Sequence, residues 1–314
     1  MSSVDLTTTL AGLTLRNPVM TASGCAGAGR ELEPFLDVSE LGAVVTRTVT
    51  LDPRAGRPTP RTVETAGGVL SSIGLQSAGV DGFLATDLPW LAQRQARAVV
   101  SIAGTTLGEY AELARRIGHS PGVSAVEVNI SSPDADGPGP VAASDPYQAS
   151  KVLSVVRRDV PRGIPVLAKL TPDVTRIVDV AAAVVEAGAD AVVLINAPRG
   201  MAIDPDTLRP ALGGVTGGLS GPAIRPLAVR CVWEVHNALP EVPIVGVGGI
   251  RTGFDALEML LAGASAVQVG TAILHDPSAP ARIVGELRVE LERRHISSVA
   301  DVIGRAHTQG EEHS

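Results

Sequence analysis

Eight short runs rich in Val, Ile and Ala, separated by helix-length stretches, predict a (β/α)8 barrel. The runs cover residues 18–22, 43–46, 98–102, 125–129, 165–170, 191–195, 243–246 and 266–269. Each is apolar almost throughout, the pattern of a strand buried on both faces, and such strands belong to parallel sheets covered by helices. The stretches between them suit helical crossovers, so the sheet is expected to close on itself. Glycine-rich turns follow the last two runs, at the position where barrels of this kind bind phosphate.

The remaining elements follow in chain order. Residues 6–15 alternate around Gly12 and predict an N-terminal hairpin that closes the barrel bottom. Apolar faces at helical spacing appear over 107–117, 177–187, 222–239 and 252–261. Gly188 and Gly263 fall where helices end and the chain must turn through a left-handed conformation. Three long excursions, 47–79, 131–146 and 196–221, follow strand ends and are expected as loops on the C-terminal face, where barrel sites lie. No linker or repeat interrupts the chain, so 1–314 reads as one domain, with 301–314 expected to form a flexible tail.

Composition excludes several functions. Aromatic residues make up 2% of the chain and the formal charge is −7, a poor basis for stacking bases or holding a phosphate backbone. The sequence pI near 5.4 points the same way, and the mean hydropathy is +0.24. Two cysteines, Cys25 and Cys231, are too few for a disulfide framework or a cysteine metal cluster. That suits a cytoplasmic protein with no metal site of its own. The most apolar segment, 178–197, is interrupted by Asp179, Glu186 and Asp190, so no membrane insertion is expected.

Chemistry is concentrated at strand ends. Gly248 and Gly249 end the seventh strand, and Gly270 and Thr271 end the eighth; paired there, they predict an anion cradle of backbone N–H groups. A third cluster, Gly217-Gly-Leu-Ser-Gly221, reads as a helix opening beside the same anion. Lys169 closes the apolar fifth strand, where an ammonium pointing inward needs an electron-rich ligand such as a flavin or, alternatively, a structural carboxylate partner. Asn129 and Asn196 end strands four and six, where they either hydrogen-bond a planar heterocycle or cap their own loops. The stretch after Ser131-Ser-Pro-Asp134, residues 135–143, has the Gly/Pro composition of a mobile lid. The histidines His119, His236, His275, His307 and His313 fit helix surfaces or ends, a turn and the tail, and most are expected to be solvated.

Taken together, these segments resemble the dihydroorotate dehydrogenase family, most closely the class 1B catalytic subunit. The resemblance runs from about residue 10 to 280. It is carried by Asn17-Pro-Val-Met-Thr-Ala-Ser-Gly24, Pro58-Thr-Pro-Arg-Thr-Val-Glu-Thr65, Ser72-Ile-Gly-Leu-Gln76, Glu127-Val-Asn-Ile-Ser-Ser-Pro133, Lys169-Leu-Thr-Pro172 and Gly217-Gly-Leu-Ser-Gly-Pro-Ala-Ile-Arg-Pro226. It implies an FMN whose phosphate rests on Gly248, Gly249, Gly270 and Thr271. Ala22, Ser23, Gly24, Thr48, Asn129, Lys169, Ile195, Ser220 and Gly221 would complete the cofactor site. Arg47, Ser71, Ile73, Gly74, Leu75, Asn129, Asp134, Asn196 and Ala197 would face the substrate. The implied reaction converts dihydroorotate to orotate in pyrimidine biosynthesis, with hydride passing to flavin N5, Ser132 as base and Arg47 beside it. A homodimer is implied, as is a partner subunit carrying FAD and an iron–sulfur cluster.

Several positions depart from the family pattern. Ser132 stands where class 1B members usually have cysteine, Asp134 where they have asparagine, and Arg47 where they have lysine. Ser71 and Ser77 replace amides, and Ala197 replaces threonine. A serine base needs more help than a thiol, and an arginine does not fill a lysine's volume identically. Two further readings therefore stand beside the first: a diverged relative acting on another dihydro-heterocycle or enone, and a non-catalytic flavin-binding subunit.

Overall fold

The computed structural model describes residues 4–131 and 145–307. Its framework is eight parallel strands: β1 Val19–Thr21, β2 Val44–Val45, β3 Ala98–Ile102, β4 Val123–Asn129, β5 Val166–Leu170, β6 Ala191–Leu194, β7 Ile244–Val247 and β8 Ala266–Val269. They are hydrogen-bonded in the order β1-β8-β7-β6-β5-β4-β3-β2. A parallel bridge from Met20 to Ala43 joins the two ends and closes the barrel. All eight expected runs are strands, because Val, Ile and Ala buried on both faces leave no solvent side to favour alternation.

Helices wrap the outside. The longer ones are α1 Leu88–Gln93, α2 Leu107–Gly118, α3 Pro146–Asp159, α4 Ile177–Glu186, α5 Arg225–Ala238, α6 Gly253–Leu261 and α7 Ala279–Arg293. Their starts are chemically specified. The Thr106 hydroxyl accepts from Glu109 N at α2, and Asp145 accepts from Tyr147 N and Gln148 N at α3. Thr252 and Asp255 form a reciprocal capping box at α6. Gly188 and Gly263 follow α4 and α6 with φ of 104° and 115°, the left-handed turn that glycine accepts without steric cost. Between β1 and β2 the crossover is made only of short 3-10 turns, at Arg30–Leu32 and Val38–Glu40.

Two apolar layers result. Inward residues of the strands, among them Met20, Val45, Val99, Leu167, Val193 and Val245, fill the barrel. Leu10 and Leu15 of the hairpin Thr8–Leu10 and Leu13–Leu15 join that layer at no more than 1% exposure, plugging the bottom as expected. Each such burial stabilises by roughly 1.5–3 kcal/mol. The outer layer packs strands against helices through residues such as Ile102, Leu113, Val152, Val184 and Leu287.

The C-terminal face carries a second, antiparallel sheet. It joins Thr62–Thr65, Gly68–Ser71, Gly217–Ser220 and Arg199–Gly200, drawn from the excursions after β2 and β6. This corrects the reading of Gly217–Gly221 as a helix opening. Gly217–Ser220 is a strand paired with Gly68–Ser71, where a side chain at Gly217 would approach Ser71 O to 2.6 Å. The helical chain begins after Gly221, through a 3-10 turn at Pro222–Ile224 into α5.

The expected tail at 301–314 is also corrected over its described part. Residues 299–302 and 305–307 form 3-10 turns, with Val299 and Val302 fully buried. His307 stacks on Trp233 at 3.6 Å between ring centroids, and its Nε2 lies 3.0 Å from Ala262 O. Residues 308–314, including His313, lie outside the described residues. So do Ser132, Asp134 and the stretch 135–143.

Candidate active site

Strand periodicity explains which side chains reach the barrel mouth. Successive strand residues alternate between faces, so the inward Ala125 is followed on the same face by Glu127 and Asn129, Leu167 by Lys169, and Ala266 by Gln268. Apolar residues thus fill the lower barrel and polar ones its upper end. Above them opens a cavity of about 870 Å³, within the usual range for small-molecule sites.

One end of the cavity is a glycine cradle formed by Gly248, Gly249, Gly270 and Thr271. Among the described residues, their backbone N–H groups donate to no protein acceptor. Gly249 has φ of 72°, and a Cβ there would stand 2.5 Å from Arg225 Cβ. Glycine is required to make this turn so close to α5. Free N–H groups from two adjacent strand ends are the donor set that an anion such as a phosphate needs.

At the barrel axis, Lys169 is 3% exposed. Its Nζ donates to Ser23 Oγ at 3.1 Å and Gln268 Oε1 at 3.2 Å, and lies 3.6 Å from Glu127 Oε1. Lys169 lines the cavity and also has the buried carboxylate partner that was the alternative reading. Asn196 Nδ2 donates to Asn129 Oδ1 at 3.3 Å and to Ser131 O and Oγ, each at 3.0 Å. Asn129 Nδ2 donates in turn to Thr48 Oγ1, which shares a hydrogen bond with Ser101 Oγ at 2.9 Å. The two amides therefore orient one another across the mouth as well as capping local backbone.

Arg47 is exposed at the rim, and its guanidinium has no partner among the described residues. Cys25, half-buried, also lines the cavity. Burial pushes its thiol up, against the opposing pull of Lys169 and Arg47.

The cavity collects most of the residues expected from sequence. Ala22, Ser23, Gly24, Thr48, Asn129, Lys169, Ile195, Ser220 and Gly221 line it with the cradle, as do Arg47, Ser71, Ile73, Leu75, Asn196 and Ala197. Gly74 does not line it; with φ of 76° it turns the chain between Ile73 and Leu75. Ser132 and Asp134 lie outside the described residues. Sequence reasoning missed Cys25, Gln76 and His275, which also line the cavity, and assigned no role to Glu127 or Gln268. A signal for the last two was present: each is a polar residue at inward parity within an apolar strand.

Fold and site together define a (β/α)8 barrel with a small-molecule-sized cavity at its C-terminal face, lined by backbone N–H donors and a buried ammonium. Known proteins make this specific. A family model for dihydroorotate dehydrogenase matches residues 5–291. The dihydroorotate dehydrogenase B (NAD(+)) catalytic subunit of Geobacter sulfurreducens is 49% identical over 304 residues, covering 97% of this chain and 99% of that one. That of Desulforudis audaxviator is 49% identical over 301 residues, covering 96% and 97%. A solved dihydroorotate dehydrogenase of Eimeria tenella, in complex with ferulenol, superposes with a TM-score of 0.79 at 25% identity, over 97% of this chain and 89% of that one. The chain belongs to the dihydroorotate dehydrogenase family.

Proposed function

We propose that this chain is an FMN-dependent catalytic subunit that oxidises dihydroorotate to orotate. The observation that carries the reading is the pairing of a donor set without protein acceptors, the N–H groups of Gly248, Gly249, Gly270 and Thr271, with a buried ammonium, Lys169, in one cavity among the described residues. That combination suits a cofactor with a phosphate at one end and a ring that gains negative charge at the other. FMN, when bound, supplies the hydride acceptor at flavin N5.

The protein's own part is to hold and orient. Lys169 offers positive charge toward the ring. Asn129 and Asn196, fixed against each other, present amide groups to a planar heterocycle. Arg47 lines the cavity, and its guanidinium has no hydrogen-bond or ion-pair partner among the described residues, which supports a role in pairing with the substrate carboxylate. On this reading Ser132 takes the proton from C5 of dihydroorotate while hydride leaves C6, and the new C5–C6 double bond gives orotate.

Electrons then leave the chain. Its two cysteines cannot ligate an iron–sulfur cluster, and the relatives above are named as catalytic subunits of NAD(+) enzymes. Both facts support a partner subunit carrying FAD and an iron–sulfur cluster. Self-association is supported by Met201, Ile203, Leu208 and Val215, four large apolar side chains 48–78% exposed on the excursion after β6. Free Cys25 and Cys231 suit a cytoplasmic setting. No helix among the described residues is long and apolar enough to cross a membrane.

The test is to extract and identify the flavin from purified protein, then titrate with orotate. FMN whose absorption spectrum is perturbed by orotate with saturation supports the reading. A colourless protein that takes up no FMN, or an FMN protein blind to orotate, contradicts it.

A further inference from the structure

We infer that Glu127 is a positioning residue that fixes the Lys169 ammonium and offsets its charge, so that the bound flavin is harder to reduce than Lys169 alone would make it. This rests on the FMN reading above.

Glu127 has no solvent exposure, and it stands above the apolar layer that includes Ala125, Leu167 and Ala266. An unpaired carboxylate is not tolerated there; it must be neutralised or paired. Its Oε2 accepts from Gln268 Nε2 at 2.6 Å. Its Oε1 accepts no hydrogen bond among the described residues and lies 3.6 Å from Lys169 Nζ. The charge on Oε1 is thus answered by Lys169.

Gln268 completes the clasp. Because its amide nitrogen donates to Glu127, its carbonyl oxygen faces Lys169, which donates to it at 3.2 Å. Glu127 of the neighbouring β4 and Gln268 of β8, three strands away, therefore set the ammonium that β5 carries. Lys169 spends two donors on Ser23 and Gln268, which leaves one of its three for a ligand in the cavity.

Charges this deeply buried are little screened by salt or water. The carboxylate therefore cancels part of the positive field that Lys169 directs at the cavity. Removing the negative charge without changing shape should favour the electron-rich, reduced flavin. Removing it by distortion alone should not.

The experiment is an anaerobic reductive titration of the FMN-loaded protein against a reference dye. Glu127→Gln is expected to move the two-electron equilibrium at least about tenfold toward reduced flavin, a rise of about 30 mV. Glu127→Asp keeps the charge and is expected to stay within about threefold of the parent. The inference is overturned if Glu127→Gln stays within that same range, if it moves toward oxidised flavin, or if Glu127→Asp moves as far as Glu127→Gln. Should Glu127→Gln fail to fold, Glu127→Met removes the same charge at similar volume. It is expected to shift the equilibrium at least about tenfold toward reduced flavin, and no shift overturns the inference. A chain that binds no FMN defeats the FMN reading and this inference with it; a chain that binds FMN with unmoved potentials defeats this inference alone.

Discussion

The side-chain amide of Asn196 donates to Asn129 Oδ1 at 3.3 Å, tying the ends of β6 and β4 together across the cavity mouth. The same amide holds both Ser131 O and Ser131 Oγ, immediately before the segment that begins with Ser132. Asn196→Ala removes all of these donors. Losing hydrogen bonds of this kind costs about 1–3 kcal/mol, so flavin reduction by dihydroorotate should slow about tenfold to hundredfold while FMN stays bound. Stopped-flow reduction measures it, and an unchanged rate would show that the amide pair does not organise the site.

Arg47 behaves differently. With an exposed guanidinium free of protein partners among the described residues, Arg47→Ala should leave the melting temperature nearly unchanged, as surface substitutions cost within about 0.5 kcal/mol. Orotate affinity should fall by roughly 1.5–3 kcal/mol, the range for a hydrogen bond to a charged group. Spectral titration with orotate reads the second effect and thermal denaturation the first.

Gly249→Ala tests the cradle. A residue with a Cβ is strained at φ of 72°, and the new carbon would meet Arg225 Cβ at 2.5 Å. The strain should cost about 1–3 kcal/mol, and FMN retention through gel filtration should drop in step. Full FMN occupancy in this variant would place the phosphate elsewhere.

The His236 and His307 rings lie 4.7 Å apart. Burial, and then the His307 charge, hold the His236 imidazolium below its ordinary 6.5. The unfolded chain therefore binds a proton that the folded chain refuses as pH falls through the window just below 6.5. Stability is complete above that window and declines through it. Melting temperatures at about pH 7.5 and about pH 5.5 should differ less for His236→Gln than for the parent. An equal difference would show that His236 does not carry this dependence.

The barrel was legible in the sequence because each strand is a near-continuous apolar run, and burial on both faces has no competing local pattern. The cradle was legible because glycines end two adjacent strands. Three features were not. The 301–307 segment folds back because His307 meets Trp233, a contact between positions far apart in sequence that no local pattern announces. Gly217–Ser220 reads locally as a flexible helix entrance, yet it is a strand because Gly68–Ser71, from another excursion, supplies its partner. Glu127 was visible in a motif, but its meaning depends on Lys169 and Gln268 arriving from other strands.

The central claim is that dihydroorotate delivers hydride to an FMN held in this cavity, and anaerobic mixing of the FMN-loaded chain with dihydroorotate tests it most directly. The account predicts that the oxidised-flavin absorbance bleaches, with orotate formed in stoichiometric amount. Absorbance that persists at saturating dihydroorotate, with no orotate produced, would contradict it.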